Sequence, residues 1–267
     1  MRVRRLLRWL MLSALLILAP PAAILATLAT ESGTAWTLEQ ASDLVRPLGI
    51  EFGFGRSSGS LLGRLELRDL VLQVADSRFE SGRVVLHWRP SVLLGRRLHV
   101  RALEVADARL RPPAPIEPAS APPEIPELVL PLVIQLDRLL IERLVVEQPD
   151  GDFEMSRLAL AARLDQQGLA IGQLDFETGG VQLQGDLRMQ ASTPHTIDGE
   201  LSAQVDRAML GENVGAVEAR AALSGPALLP EFDLMLSAPT PLQLRGTLKL
   251  DQAQPGFDLT ADWPGLS

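Results

Sequence analysis

Apolar and polar residues alternate along most of this chain, and a period of two is typical of β-strands with one buried face. The alternation begins at Leu65 and continues, with breaks at glycine, proline, asparagine and aspartate, to the end of the sequence. The runs that share an apolar parity are Leu65 and Leu67; Leu70, Leu72 and Val74; Val84, Leu86 and Trp88; Leu98, Val100 and Ala102; Leu103 and Val105; Leu139, Ile141 and Val145; Leu158, Leu160, Ala162 and Leu164; Val181, Leu183, Leu187 and Met189; Ile197, Leu201, Ala203 and Val205; Val217, Ala219, Ala221 and Leu223; Phe232, Leu234 and Leu236; Leu242, Leu244, Leu248 and Leu250; and Phe257, Leu259, Ala261 and Trp263. No segment of helical period separates these runs. The pattern therefore predicts a mainly β fold, an antiparallel meander of similar strands.

A short helical pattern precedes the strands. Thr37 and Gln40 have the spacing of a capping box, which marks the start of a helix. The apolar residues that fall on one helical stripe are Leu38, Ala41, Leu44, Val45 and Leu48. Pro47 and Gly49 end the pattern. The sequence predicts a short amphipathic helix that begins near Thr37.

The N-terminus has the features of a membrane segment. The 21 residues from 9 to 29 carry no charge, and at about 1.5 Å per residue a helix of that length covers the roughly 30 Å hydrocarbon layer. Four of the first eight residues are arginines, and the positive-inside rule keeps such a cluster in the cytoplasm, with the body on the far side. The candidate anchor residues are Trp9, Leu15, Leu16, Ile17, Leu18, Ile24 and Leu25. A signal-anchor in the inner membrane is favoured over a cleaved signal peptide and over a buried core helix.

Residues 111–131 contain eight prolines, which remove hydrogen-bond donors and favour extended backbone. They predict a connector, or equally a disordered insertion, between two parts of the β region. The chain thus divides into an anchor at 1–30, a helix and first strands at 31–110, the proline-rich linker at 111–131 and further strands at 132–267. Because the sequence stops at the edge of another strand-and-turn unit, we expect a longer parent protein.

Charge and composition exclude several functions. The net charge is −8, and without the four N-terminal arginines the remainder carries −12, which argues against nucleic-acid binding. The chain has no cysteine, so thiolate metal sites and cysteine nucleophiles are excluded. His87, His99 and His195 have no partner at metal-ligand spacing, and the first two are expected to be exposed strand histidines. We find no catalytic constellation and expect no enzyme activity, metal or cofactor.

Three stretches of the first 110 residues together resemble a known family. They are GTAW at 33–36, GSLLGRLELRDL at 59–70 and VVLHWRPSVLLGRRLHV at 84–100, after an arginine-flanked anchor. In this order they are similar to the N-terminal part of the TamB family, inner-membrane subunits of the translocation and assembly module within the AsmA-like, bridge-type lipid-transfer group. Beyond the linker only the strand rhythm agrees.

The resemblance implies an elongated, curved β-sheet, a taco-like groove, that reaches from the inner membrane, through the periplasm, toward an outer-membrane barrel subunit. Phospholipid acyl chains would slide along its apolar interior. The region that contacts the barrel subunit in this family would lie beyond residue 267. The implied protein is a single-pass inner-membrane protein with its body in the periplasm.

The apolar parity gives a candidate lining for such a groove. The lining residues are Leu65, Leu67, Leu86, Trp88, Val100, Leu160, Leu183, Leu187, Leu201, Ala203, Leu234, Leu244 and Leu248. Roughly ten strands at about 4.8 Å spacing would give a groove of about 45–50 Å. A closed β-sandwich has the same alternation and remains an alternative fold. The favoured function is a passive lipid conduit, and the alternative is a scaffold for outer-membrane proteins that acts by strand augmentation.

Overall fold

The computed structural model describes residues 29–113, 131–148, 151–206, 217–238, 240–250 and 256–262. Of the predicted membrane segment only Ala29 is among them, so the anchor residues lie outside the described part of the chain. Within that part, no helix has both the length and the apolar character needed to cross a membrane. The central residues of the proline-rich linker also lie outside it.

One helix and fourteen strands make up the described structure. Helix α1 spans Glu31–Val45, and two 3-10 turns span Arg46–Leu48 and Pro90–Gly95. The strands are β1 (Ile50–Gly53), β2 (Arg56–Gly59), β3 (Arg64–Val74), β4 (Ser77–Trp88), β5 (Arg97–Arg111), β6 (Val133–Val146), β7 (Phe153–Asp165), β8 (Gly168–Thr178), β9 (Val181–Gln190), β10 (Thr196–Val205), β11 (Val217–Pro226), β12 (Glu231–Ala238), β13 (Thr240–Lys249) and β14 (Gly256–Asp262).

All fourteen strands belong to one sheet. The order is β1-β3-β4 and then sequential to β14, with β2 paired beside β1 on the same edge of β3. At about 4.8 Å per step, the twelve steps from β1 to β14 extend for roughly 58 Å, longer than the predicted 45–50 Å. The sheet is wide, curved and open. The closed-sandwich alternative is wrong for the described residues, because no second sheet faces the first.

One pairing departs from the predicted antiparallel meander. Strands β5 and β6 are parallel, with Arg97 opposite Val133 and Leu110 opposite Val146. Both strands therefore start at the same end of the sheet, on either side of the proline-rich linker. Local alternation could not reveal this, because it reports the exposed face of a strand and not the direction of its neighbour.

Register divides the side chains between two faces. Residues opposite each other on neighbouring strands share a face, so a row can be followed from strand to strand. One such row runs Leu183, Ala203, Ala219, Leu236 and Leu242 across β9 to β13. The adjacent row, one residue along each strand, begins with Gln182 and Gln204. We call the first set the apolar face and the second the polar face.

One row of residues that crosses β3 to β6 interrupts the alternation of side chains. Odd-numbered and even-numbered residues of a strand change faces on either side of this row, which we call the crease. Asp69, Asp107 and Arg143 have left-handed backbone (φ 54°, 52° and 60°), and the flanking register pairs align them with Gly82 in one row. The Arg143 guanidinium forms an ion pair with Asp107 along this row. A left-handed residue shifts the alternation by one, so Leu65 and Leu67 share their face with Leu70.

The crease overturns one detail of the predicted pattern. Val145 was grouped with Leu139 and Ile141, but it pairs with Arg109, which lies on the polar face. Leu144, opposite Ala108, takes its place on the apolar face. The reason is the left-handed backbone of Arg143. This conformation is uncommon for arginine, so the sequence does not predict it.

Helix α1 begins at Glu31, six residues before the predicted start. Thr30 is the N-cap, and its hydroxyl accepts a hydrogen bond from the Gly33 amide (3.1 Å). Thr37 lies within the helix, where its Oγ1 donates to the Gly33 carbonyl (2.7 Å). The Thr37 to Gln40 spacing was therefore not a capping box. The true N-cap is followed by Glu31, an acidic residue that favours the first turn of a helix.

The helix closes the only compact apolar cluster found in the described part of the chain. Leu65, Leu67 and Leu70 are buried there. The partly buried residues packed against them are Leu38, Phe52, Phe54, Leu61, Phe79, Val84 and Leu86. Beyond Met155, no described large apolar residue is buried. The sheet therefore has a filled core at the α1 end and an unfilled apolar face along the rest.

Candidate functional site

The thirteen candidate lining residues all lie on the apolar face. Register connects them through Leu65 opposite Leu86, Trp88 opposite Val100, Leu183 opposite Ala203, and Leu234 opposite Leu244. Leu160 lies on the same face, because alternate residues of β7 from Leu158 to Leu164 stay on the apolar face although the pairings with β6 and β8 contain bulges. The structure thus brings together, on one continuous surface, residues that lie up to 183 positions apart in sequence.

The lining residues divide into a closed and an open part. Leu65 and Leu67 are only 4% and 7% exposed, because α1 covers them. Trp88 lies at the boundary, where its indole N–H donates to the carbonyl of Leu61 (2.8 Å) and fixes the ring. From Leu160 onward the lining residues are half-buried although no helix or second sheet covers them in the described chain. The first two residues are therefore core, and only the later ones offer an accessible apolar surface.

Over β9 to β11 the apolar face is less exposed than the polar face, which indicates that it is the inner face of the curved sheet. From 183 to 190, from 197 to 205 and from 217 to 224, each apolar-face residue is half-buried or buried and each polar-face residue is exposed. With no layer on top, a flat sheet would expose both faces similarly. Curvature toward the apolar side crowds that side and accounts for the difference.

Large side chains lie over glycines on this inner face. A Cβ placed on Gly185 would lie 2.9 Å from Leu201 Cδ2, and one placed on Gly199 would lie 2.8 Å from Leu187 Cδ1. In the same way, Phe232 covers Gly246. The missing side chain leaves room for the cross-strand neighbour, and a side chain added at any of these glycines would clash with that neighbour and with the adjacent backbone.

The polar face carries charges in local pairs. Glu66 accepts from Arg68 (3.1 Å) and Arg83 (3.2 Å), and the Arg83 guanidinium holds the pKa of Glu66 below its usual value. Asp233 accepts from Gln243 (2.8 Å) and Arg245 (3.0 Å) in the same way near the other end of the sheet. Solvent screens such pairs and they contribute little stability. These pairs make the face hydrophilic, although Val85 and Leu140 are buried on it in the row of Glu66.

Two of the three histidines are placed differently from the prediction. His99 is not an exposed, unpartnered strand residue, because its Nε2 lies 2.7 Å from Asp137 Oδ2. His87 is half-buried on the polar face of β4. His195 is 4% exposed in the turn before β10, with Nδ1 3.1 Å from the Gln190 carbonyl. Among the described residues no group of three or more His, Cys, Asp or Glu is arranged to hold a metal ion.

The fold and its open apolar face define a class: elongated proteins built on one curved β-sheet whose inner face is apolar and has no covering layer. The family comparison identifies the chain within that class. The model of the TamB N-terminal domain matches residues 112–267, more than half of the sequence, and the chain belongs to the TamB family. Membership assigns it to TamB-related envelope biogenesis, in a membrane-associated family.

The matched range differs from the region where sequence motifs suggested the family. The motifs lie between 33 and 100, whereas the match begins at residue 112 and covers β6 to β14. The strand rhythm beyond the linker was therefore a stronger family signal than it appeared. Neither the search of curated proteins nor the search of solved structures found a match.

Proposed function

We propose that this protein is a non-enzymatic conduit that moves phospholipids between the inner and outer membranes. The observation that supports this is the apolar face, which continues without a covering layer from Leu160 to Leu259 in the described chain. Acyl chains on this surface would be stabilised by roughly 0.8 kcal/mol for each buried CH₂ group. The described part of this face is lined mainly by aliphatic side chains, which suits cargo that slides rather than docks.

The proposal includes a location and a set of partners. The segment from 9 to 29 would anchor the chain in the inner membrane as a single span, with the sheet in the periplasm. The partners would be phospholipid acyl chains and the outer-membrane barrel subunit of the translocation and assembly module. The arrangement requires no cofactor, and the acidic body argues against nucleic acid as a partner.

Photo-crosslinking from neighbouring residues on opposite faces tests the conduit directly. A photoreactive residue at Leu183 or Leu201 is expected to capture phospholipid in cells, because both side chains lie on the inner face. The matched controls are Gln184 and Ser202, which follow them in sequence and lie exposed on the polar face. Equal lipid capture from both faces, or none from the inner face, would contradict the proposal. Lipids are then detected by mass spectrometry.

One observation favours a second function, that of a scaffold for outer-membrane proteins. In the described part of the chain β14 pairs only with β13, so its outer edge offers backbone groups to an added strand. A photoreactive residue at Thr260 in β14 would then capture protein rather than lipid. Protein capture there, with no lipid capture at Leu201, would favour the scaffold over the conduit.

A further inference from the structure

The turn between β4 and β5 carries an exposed apolar tip. It spans residues 89–97 and contains the short 3-10 turn Pro90–Gly95. Leu94 is 95% exposed and Leu93 is 40% exposed, and no residue of this turn is buried. A single exposed leucine needs no explanation. Two adjacent leucines at the summit of a turn, one of them almost wholly in solvent, suggest a surface that another body covers.

Three arginines flank these leucines in sequence. Arg89, Arg96 and Arg97 are exposed, and in the described structure none of them forms an ion pair. No acidic residue lies between Glu80 and Glu104 in sequence. The carboxylate of Asp137 interacts electrostatically with Arg89, but its hydrogen bonds go to His99 and Gln135. The tip is thus positive and apolar on a body whose net charge is strongly negative.

A short chain of hydrogen bonds places the tip beside the point where the polypeptide enters the body. Trp88, the residue before the tip, donates to the carbonyl of Leu61 (2.8 Å), and the Leu61 amide donates to Thr34 Oγ1 (3.1 Å) in the first turn of α1. Glu31 Oε1 accepts from the neighbouring Gly59 amide (3.3 Å). The start of α1 follows directly on the predicted membrane segment. The tip and the start of α1 therefore lie at the same end of the sheet.

We propose that residues 89–97 form a second membrane contact, which inserts Leu93 and Leu94 at the boundary between headgroups and acyl chains. The three arginines would bind the phosphates of anionic phospholipids, for which a guanidinium provides two parallel donors. Interfacial amphipathic helices bind membranes with the same combination of exposed apolar residues and neighbouring basic residues. Together with the anchor, this contact would fix the tilt of the first strands against the bilayer. It does not depend on lipid movement along the inner face.

The natural absence of cysteine allows a direct measurement of membrane depth. In the full chain reconstituted into vesicles of phosphatidylethanolamine and phosphatidylglycerol, Leu94→Cys is labelled with an environment-sensitive fluorophore. We expect a blue-shifted emission that spin-labelled lipids quench. Met235→Cys is the matched control, because Met235 is 55% exposed but lies on the polar face of β12. A label at position 94 that is as wet and unquenched as the label at 235 would overturn the proposal.

Charge is tested by lipid composition and by the arginines. In vesicles of phosphatidylcholine alone, or after Arg89, Arg96 and Arg97 are all changed to Gln, quenching at position 94 is expected to fall severalfold, since each basic residue near an anionic surface strengthens binding roughly fivefold. Unchanged quenching would refute the role of the arginines. A Leu16→Cys label separates this result from the anchor: lipid contact at 16 without contact at 94 refutes only the tip. Contact at 94 without lipid capture at Leu201 refutes only the conduit.

Discussion

Replacement of Leu201 by aspartate is expected to lower the phospholipid that co-purifies with this protein by more than tenfold while the sheet remains folded. Leu201 lies on the inner face, over Gly185, and register places it beside Ala221 in the next strand. An ionised carboxylate at that point would lose its hydration if acyl chains covered it. If it kept its hydration, the acyl chains could not bind there. A charge in a hydrocarbon environment costs about 2.5–3.5 kcal/mol on insertion scales, enough for the expected loss.

The neighbouring residue supplies the control. Ser202→Asp adds the same charge one position later, on the exposed polar face and opposite Arg220, so it should leave the bound lipid unchanged. Lipid is measured by mass spectrometry after gentle extraction, and folding is measured by circular dichroism on the same samples. Leu234→Asp, on the same face two strands away, provides a second inner-face variant. Wild-type lipid levels in both inner-face variants would contradict the conduit.

The mainly β fold and the composition of the inner face could be predicted because most strands keep an unbroken parity. Strands β7, β9, β10 and β11 each contain one regular run, and each run lies on the apolar face as expected. The parity failed only where backbone conformation intervened. Arg143 is left-handed and moves Val145 to the other face, and the register shift between β4 and β5 at Trp88 places Ala102 opposite His87 on the polar face.

Pairing partners and layer number could not be predicted for a different reason. Alternation records that one face of a strand is apolar, but it does not record what that face meets. The same Leu and Ala residues could have packed against a second sheet. The parallel direction of β6 relative to β5 does not change the alternation in either strand, so the sequence pattern does not reveal it. Both features depend on contacts between residues far apart in sequence.

The sequence predicted the lining residues as one set, but the structure divides them into a buried group and an accessible group. Leu65 and Leu67 have the same sequence pattern as Leu183 and Leu187, yet α1 covers the first pair and leaves the second accessible. The prediction missed this because it began the helix at Thr37 and did not assign the helix a packing partner. The Leu93 and Leu94 tip was missed as well, since a 3-10 turn has too few residues to show a period.

This boundary predicts two very different costs for the same substitution. Leu65→Ala is expected to destabilise the first strands by about 2–5 kcal/mol, because Leu65 is 4% exposed and its removal leaves a cavity beneath α1. Leu187→Ala should cost less than about 1.5 kcal/mol, because that side chain is already half-exposed on the open face. A sheet whose strands contact only their neighbours unfolds in parts, so hydrogen exchange resolved by segment is the suitable measurement. Faster exchange confined to β3 and β4 in Leu65→Ala, with little change around β9 in Leu187→Ala, is the expected result. Equal losses in both variants would mean that the inner face near β9 is covered, and an open lipid path could not run there.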